Sequence, residues 1–381
     1  MRSKFISSVI VKYGKVIILI IWLITTLLYL KSFGIVTDME AKKYIIEANR
    51  FIDTGSFSAP RYWFYSITTF ILVIAFKLHI GITGAFIIQA CLNLFAYFYF
   101  YKALSTFFKN VITPFFIIVY LIAFSPYQSW VVFLFTESAF FSTVLILFST
   151  LVLYKPNLII NSCFIAASLL LTILSRPLGI LFVGATYIYL FYCAKPKWKI
   201  IFGIASLVLF GLAYYSINII FSTIPDWHIT QAFEQESIIC DMPAALPYQK
   251  LDLSQSGSPV FQLWYYLTHN FSHFLHFAGI KMQYFFLMAR PYYSKAHNYF
   301  LLLNVIPLYL LAFCSFFIKK TQFNKGTTIF LASAILIFTL TIIFQCDDYH
   351  NRFVLSIFPF FVILAARAVD YFISSFFKHN K

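Results

Sequence analysis

The stretch LTILSRPLGILFVG, residues 171–184, is apolar on both sides of one Ser-Arg-Pro sequence. A guanidinium group at the centre of a bilayer costs at least ~2.5 kcal/mol on insertion scales, and a proline interrupts a helix. Both penalties disappear if the three residues form a turn at the membrane surface. The stretch therefore predicts two membrane-spanning helices joined by an outer turn at residues 175–177, with Arg176 at or just below the surface.

The composition extends this interpretation to the whole chain. Of the 381 residues, 61% are hydrophobic and 11% are charged, and the mean hydropathy is +0.83. Apolar runs recur almost to the C-terminus, and many reach the ~20 residues that a membrane-spanning helix needs. The first, VIILIIWLITTLLYL at 16–30, lacks a small-residue cleavage site and is interpreted as a span rather than a signal peptide. We predict an all-α, polytopic transmembrane helical bundle, with residues 1–381 forming a single integral membrane domain.

The basic residues predict the topology. A formal net charge of +15 would suggest nucleic-acid binding in a soluble protein, but membrane proteins gather Lys and Arg in cytoplasmic loops. Nucleic acid is therefore not an expected partner. If every basic cluster is cytoplasmic, an even number of spans must separate each cluster from the next. The clusters lie at residues 2–15, 102–109, 155, 195–199, 319–325 and 378–381.

Three apolar runs lie between the first two clusters, so one of them should not span. The run 62–80 follows a polar loop and is rich in Trp, Tyr, Ser and Thr, which favours a helix in the outer interface. The same requirement for an even number of spans predicts that 262–289 is interfacial or re-entrant. The prediction is ten spans, cytoplasmic termini, a first outer loop at 33–81 and a larger one at 223–296. The predicted spans are 16–32, 82–101, 111–125, 137–154, 158–175, 177–194, 199–222, 297–318, 327–345 and 352–374.

The first outer loop contains a candidate acidic pair. With this topology, all of the 13 acidic residues except Asp370 fall on the outer side. In TDMEAKKYIIEANRFIDTGSF (37–57), Asp38 follows the first span, and the apolar spacing predicts a short amphipathic helix that Gly55 closes. Asp38 and Glu40 would then be held at the membrane surface. The alternative is that Asp38 only caps this helix.

Glu137, in FLFTESAFF (133–141), is the only carboxylate between residues 111 and 154. An isolated carboxylate near membrane depth is costly unless it has a partner, which makes Glu137 a candidate functional residue. The alternative is a structural salt bridge with an arginine such as Arg176.

Three arginines face the same predicted side, in SRPLG (175–179), ARPYYSKAHN (289–298) and DDYHNRF (347–353). The planar guanidinium fork of Arg176, Arg290 and Arg352 suits a phosphate, and we predict a site for a phosphorylated, membrane-embedded ligand. The alternative for each arginine is an interfacial anchor. The candidate substrate-binding residues in these segments are Tyr292, Tyr293, His297, Asp348 and Tyr349.

Two further patterns are weaker. His269, His273 and His276 have the spacing of ligands on one helical face, but a polar stripe on an interfacial helix explains them as well, so no metal site is predicted. The six cysteines contain no CxxC motif and mostly fall in spans, whereas Cys240 and Cys346 share the outer side. A disulfide between them is left open.

The order of these motifs resembles the GT-C superfamily of polytopic glycosyltransferases, which includes the protein O-mannosyltransferases and the aminoarabinose transferases. The matching segments are the acidic pair after span one, SP followed by TESAFF, SRPLG, and DDYHNRFVLSIFPFF before the last span. The helix at 62–80 is similar to the juxtamembrane helices of that superfamily. The soluble C-terminal domain of its larger members has no counterpart in this sequence.

The resemblance implies an inverting sugar transfer from a polyprenyl-phosphate donor to a lipid, glycan or protein acceptor of the cell envelope, at the outer face of the bacterial inner membrane. It implies that Asp38 is the general base and that Glu40 or Glu137 supports it. Arg352 and Arg290, and with less support Arg176, would bind the lipid phosphate and stabilise the leaving group. No cofactor is required, although some members use a divalent metal.

Two other functions fit the same residues. A flippase or transporter of lipid-linked sugars would use the arginines, but transporters usually have repeated halves and charges within several spans. A polysaccharide polymerase or ligase normally relies on a large outer loop, and the loop at 223–296 is long enough to keep that alternative open.

Overall fold

The structure, a computed structural model, describes residues 2–108, 110–154, 159–223, 229–240, 242–243, 250–254, 256–318, 325–347 and 349–379. These residues form sixteen α-helices and one two-stranded antiparallel sheet, which confirms the predicted all-α polytopic fold. The helices are α1 (Arg2–Phe33), α2 (Glu40–Thr54), α3 (Ser66–Lys77), α4 (Gly81–Leu104), α5 (Ile112–Ala123), α6 (Ser125–Gln128), α7 (Thr136–Leu153), α8 (Ile159–Ser175), α9 (Leu181–Cys193), α10 (Pro196–Thr223), α11 (Gln231–Glu234), α12 (Pro259–His269), α13 (Phe271–Leu287), α14 (Lys295–Phe316), α15 (Lys325–Phe344) and α16 (Arg352–His379), and the strands are β1 (Ser237–Ile239) and β2 (Met242–Pro243).

Seven helices of the described residues are long and apolar enough to cross a membrane, namely α1, α4, α7, α10, α14, α15 and α16. The pair Ile112–Ala123 and Ser125–Val132 makes an eighth span if it is counted as one, although it bends by 72°. Two shorter apolar helices cover Ile159–Ser175 and Pro177–Cys193. Each of the ten predicted spans therefore corresponds to a helix or a bent helix pair, and the count of ten crossings stays a prediction.

The two apolar segments that the even count of spans leaves out of the membrane-spanning set, 62–80 and 262–289, are not single continuous α-helices. Within 62–80, a 3-10 turn at Pro60–Tyr65 precedes α3, whose 12 residues extend only about 18 Å at 1.5 Å per residue. Within 262–289, Asn270 separates α12 from α13. Helices α3 and α12 are too short for the ~30 Å hydrocarbon core, whereas α13, with 17 residues, extends about 26 Å. Their interfacial position stays a prediction.

The chain divides into two compact units. The first contains residues 1–186, 308–334 and 355–381, and the second contains residues 187–307 and 335–354. Aromatic packing fills the first unit: the ring of Phe148 lies 5.5 Å from that of Phe100 and 5.8 Å from that of Phe360. In the second unit a small core surrounds Phe233, whose ring stacks on Tyr266 at 4.6 Å. The prediction of a single integral membrane domain stays a prediction.

The predicted turn at residues 175–177 is confirmed. Helix α8 ends at Ser175, Arg176 is extended with φ of −165°, and a 3-10 turn begins at Pro177. The turn closes tightly, because the Gly179 N–H donates to the Arg176 carbonyl at 2.8 Å. A Cβ atom on Gly179 would lie 2.7 Å from the Ile173 Cα and closer still to the Thr172 carbonyl. Only glycine fits this approach to the backbone of α8.

We therefore expect Gly179→Ala to lower stability by about 1–3 kcal/mol, the usual cost of overpacking. The matched control is Gly203→Ala in α10, where an added Cβ has no neighbour within 4 Å and alanine favours the helix. Thermal unfolding of both variants in detergent measures the difference. Equal melting temperatures would show that the approach of Gly179 to α8 is not tight.

Candidate active site

The predicted helix of the first outer loop is confirmed as α2. Gly55 closes it in the left-handed region, with φ of 71° and its N–H bonded to the Phe51 carbonyl. Met39 occupies the N-cap, and the Asp38 carboxylate pairs with Lys42 at 3.1 Å rather than capping α2. The Asp38 side chain is 75% exposed. The structure thus places Asp38 where a second molecule can reach it.

The buried face of α2 fixes its position. Glu47 accepts hydrogen bonds from the Ser58 backbone N–H, at 2.9 Å, and from the Ser58 hydroxyl. The Tyr44 ring lies 5.6 Å from that of Tyr65, and the Lys43 ammonium lies 5.0 Å from the Tyr44 ring centroid. These contacts hold α2 against the segment from Ser58 to Tyr65 that leads into α3.

Glu137 and Arg176 form a buried ion pair, and their side chains are 0% and 10% exposed. Glu137 lies in the first turn of α7, and Arg176 follows the last residue of α8. The Thr143 hydroxyl donates to the Ser175 hydroxyl at 3.2 Å, so the two helices are joined beside the pair. The salt bridge that the sequence left as an alternative is therefore present, and the role of Arg176 toward a phosphate stays a prediction.

Tyr44 on α2 interacts electrostatically with this ion pair. Burial raises the pKa of Tyr44, the carboxylates of Glu40 and Glu137 raise this pKa further, and Arg176 opposes them. The neutral phenol therefore lies within electrostatic range of all three. Sequence reasoning used Tyr44 only as an apolar helix position. Its hydroxyl was missed, because the spacing shows which face is buried and not which charges lie near it.

Arg290 is the centre of the candidate site in the second unit and is 1% exposed. One terminal nitrogen donates to the Tyr284 carbonyl at 2.9 Å, and the other pairs with the Asp347 carboxylate. The Asn298 side chain clamps the backbone of Arg290, accepting from its N–H at 3.0 Å and donating to its carbonyl at 2.9 Å. Main chain and side chain of Arg290 are thus both held.

A short strand contact and a disulfide hold Asp347. The Asp347 N–H donates to the Ile238 carbonyl at 2.7 Å, and the Asp347 carbonyl accepts from the Cys240 N–H at 2.9 Å. The disulfide that the sequence left open joins Cys240 to Cys346. The backbone of Asp347 is consequently held at its N–H and at its carbonyl, and its carboxylate pairs with Arg290.

The start of α16 carries Arg352, which is 5% exposed. The two residues before it, His350 and Asn351, have φ of 62° and 60°, a region that few residue types other than glycine accept readily. The Asn351 amide donates to the Met288 carbonyl at 2.8 Å, two residues before Arg290. The turns that carry Arg290 and Arg352 are therefore joined by a direct hydrogen bond. Asp348 and the side chain of Tyr349 lie outside the described part of the structure.

The structure brings Tyr292, Tyr293 and His297 together. The Tyr293 ring lies 4.8 Å from that of Tyr292 and 4.7 Å from that of His297, and it stacks on His350 at 6.4 Å. Burial raises the pKa of Tyr293, which keeps its phenol protonated. His350 was missed from the sequence, although its place between Tyr349 and Arg352 could have indicated it.

The histidines of α12 and α13 have separate partners. His269 ends α12 and stacks on Tyr265, whereas His273 lies in α13 and bonds to Tyr266 at 2.7 Å and to Glu236 at 3.1 Å. The expectation that they share one helical face is wrong, because the chain breaks at Asn270. Within the described residues, no group of three or more His, Cys, Asp or Glu side chains could hold a metal ion.

Lys281 is a buried cation that the sequence did not reveal. It is 1% exposed, and its ammonium lies 4.9 Å from the Phe233 ring centroid and 4.3 Å from that of Phe277. It donates to the Ile343 carbonyl in the last turn of α15 at 3.4 Å. Burial lowers the pKa of Lys281 to about 7. The contact joins α13 to the end of α15, just before the segment that holds Asp347.

No family model matches the sequence, and no curated protein matches it. One solved structure is similar, the crystal structure of ArnT from Cupriavidus metallidurans in the apo state, at 13% identity and a TM-score of 0.46. The match covers 94% of this chain and 59% of that chain. A likeness at this level assigns neither a family nor an activity.

We expect Glu137→Gln and Arg176→Met each to lower stability by about 3–5 kcal/mol, because either change leaves one buried charge without its partner. The double variant should lose less than the sum of the single losses. The matched control is the exposed pair Asp38 and Lys42, for which the losses of Asp38→Asn and Lys42→Met should be small and additive. Strictly additive losses at residues 137 and 176 would contradict a buried, coupled pair.

The disulfide predicts the number of reactive thiols. Cys91, Cys163, Cys193 and Cys314 are free, so denatured protein should gain four polyethylene-glycol maleimide adducts without reductant and six after reduction. The gel shift counts the adducts directly. Cys240→Ser should give five adducts without reductant, because Cys346 is released. Six adducts on untreated wild-type protein would exclude the disulfide.

Proposed function

We propose that this protein is a GT-C-type glycosyltransferase. It moves a sugar from a polyprenyl-phosphate donor to a lipid, glycan or protein acceptor of the cell envelope. The observation that carries the proposal is in the second unit: the turns of Arg290 and Arg352 are joined by one hydrogen bond and lie beside a cluster of tyrosine and histidine rings.

The chemistry of a sugar phosphate supports this assignment. A phosphate accepts the parallel N–H bonds of a guanidinium fork, and such charge-assisted bonds are about twice as strong as neutral ones. Aromatic faces with a few polar groups are typical of the walls of small-molecule sites. Arg352 and Arg290 would hold the lipid phosphate and stabilise the charge that develops on it as the sugar leaves. Tyr292, Tyr293 and His297, with Asp348 and Tyr349, would contact the sugar or the phosphate.

The carboxylates of the proposal are Asp38, just before α2, Glu40 in α2 and Glu137 in α7. Asp38 is the general base, because a base must reach the acceptor hydroxyl and the Asp38 side chain is exposed. Glu137 is buried against Arg176, which suits a supporting role better than direct proton transfer. Glu40 and Arg176 complete the proposed set. Direct attack of the acceptor on the anomeric carbon inverts its configuration, and the proposal requires no cofactor.

The proposed sidedness rests on two independent features. Lysine and arginine clusters favour cytoplasmic termini by the positive-inside rule. The disulfide between Cys240 and Cys346 lies in segments predicted to face the other side, and disulfides persist in oxidising compartments. We therefore propose a bacterial inner-membrane protein whose site faces the periplasmic or outer side.

The test is transfer from a defined polyprenyl-phosphate monosaccharide in proteoliposomes. We expect Asp38→Asn to lower the rate by about 10²–10⁴-fold, the usual contribution of a general base, without changing the melting temperature by more than a few degrees. Asp53→Asn, an exposed carboxylate at the other end of α2, is the matched control and should retain the wild-type rate.

Three outcomes would contradict the proposal or one of its assignments. Full activity of Asp38→Asn would exclude Asp38 as the base. Movement of an intact lipid-linked sugar across the bilayer, with no product formed from any acceptor, would identify a transporter instead. A product that grows by repeated additions of preassembled glycan would identify a polymerase.

A further inference from the structure

Asn351 holds an unusual position in the second unit. It is 2% exposed and has φ of 60°, and its Nδ2 donates to the Met288 carbonyl at 2.8 Å. Its Oδ1 is buried and has no hydrogen-bond partner among the described residues. A buried amide that is satisfied on one side only costs free energy, whereas asparagine is among the residue types that accept this backbone region. Such a cost is tolerated where the residue serves another purpose.

The geometry around this hydrogen bond indicates the purpose. Met288 ends α13 in the left-handed region, with φ of 59°, and Arg290 follows two residues later. Asn351 precedes Arg352 directly, at the start of α16. The hydrogen bond from the Asn351 side chain to the Met288 carbonyl links the backbone two residues before Arg290 to the residue directly before Arg352.

The other contacts described for Arg290 act at different points. Asn298 clamps the Arg290 backbone within its own turn, and Asp347 fixes the guanidinium from five residues before Arg352. Between Asp347 and Arg352, a short 3-10 turn covers Tyr349–Asn351, and within it both His350 and Asn351 have positive φ. The Asn351 amide thus ties the residue before α16 directly to the backbone that leads into Arg290.

We propose that Asn351 is a positioning residue: its side-chain amide sets the separation of the Arg290 and Arg352 backbones, so that the two guanidinium groups bind one phosphate together. This inference rests on the proposed function, because the phosphate belongs to the donor proposed above. Asn351 touches neither the sugar nor the reacting atoms. Its effect is on binding of the donor phosphate through Arg290 and Arg352.

Asn351→Gly is the sharpest variant, because glycine accepts a φ of 60° without strain but has no amide to donate. We expect the KM for the donor to rise about tenfold, the effect of losing one buried hydrogen bond of ordinary strength. The KM for the acceptor and kcat should change less than about threefold on the same reasoning. Asn351→Asp, which tolerates the backbone but cannot donate when ionised, should weaken donor binding as well. Asn304→Ala is the matched control, since that amide is exposed and bonds only within α14.

Binding is measured separately by native mass spectrometry of the full chain with polyprenyl phosphate. The expected result is that the wild-type protein binds polyprenyl phosphate and that Asn351→Gly binds it about tenfold more weakly. The melting temperature should be unchanged. Equal binding by wild type and Asn351→Gly would overturn the positioning role and leave the proposed function intact. Absence of binding by the wild-type protein would overturn the proposed function and this inference together.

Discussion

A guanidinium group that leaves water loses several kcal/mol of hydration free energy unless a carboxylate and further acceptors replace the solvent. Arg290 meets this requirement with the Asp347 carboxylate and the Tyr284 carbonyl, and Arg176 meets it with Glu137. Much of the local architecture supports these pairs. The Asn298 clamp, the strand contact of Asp347 and the contact between α7 and α8 each keep a charged partner from moving away.

The sequence predicts the parts of this arrangement that follow from one residue and its neighbours along the chain. An arginine and a proline within an apolar run predicted a turn between two helices, and the turn at Arg176 is present. Glu137 stood alone among apolar residues, so a partner was required, and Arg176 was the arginine already considered. Gly55 closes α2 as its position at the end of an amphipathic pattern predicts. In each case the free-energy cost of a local misfit leaves few structures that the segment can adopt.

Features that depend on distant segments were not predictable in this way. The Asn351 amide bonds to a carbonyl 63 residues earlier, and Lys281 donates to one 62 residues later. Nothing in the local pattern distinguishes these side chains from polar residues on a helix surface. The broken helix at Asn270 also separated histidines whose spacing was regular in sequence. Residue spacing gives the face of a helix only as far as the helix continues.

The disulfide has a consequence for how the protein is made. Cys240 and Cys346 are 106 residues apart, and helices α14 and α15 lie between them. During synthesis Cys240 therefore emerges well before its partner, and both helices must be inserted before the two thiols can meet. In the chain-entropy account, closing a loop of about 100 residues stabilises the folded state by about 4.7 kcal/mol. Oxidation of these thiols therefore follows synthesis of the whole segment between them, and it adds a covalent link to the hydrogen bonds and the ion pair that hold Asp347.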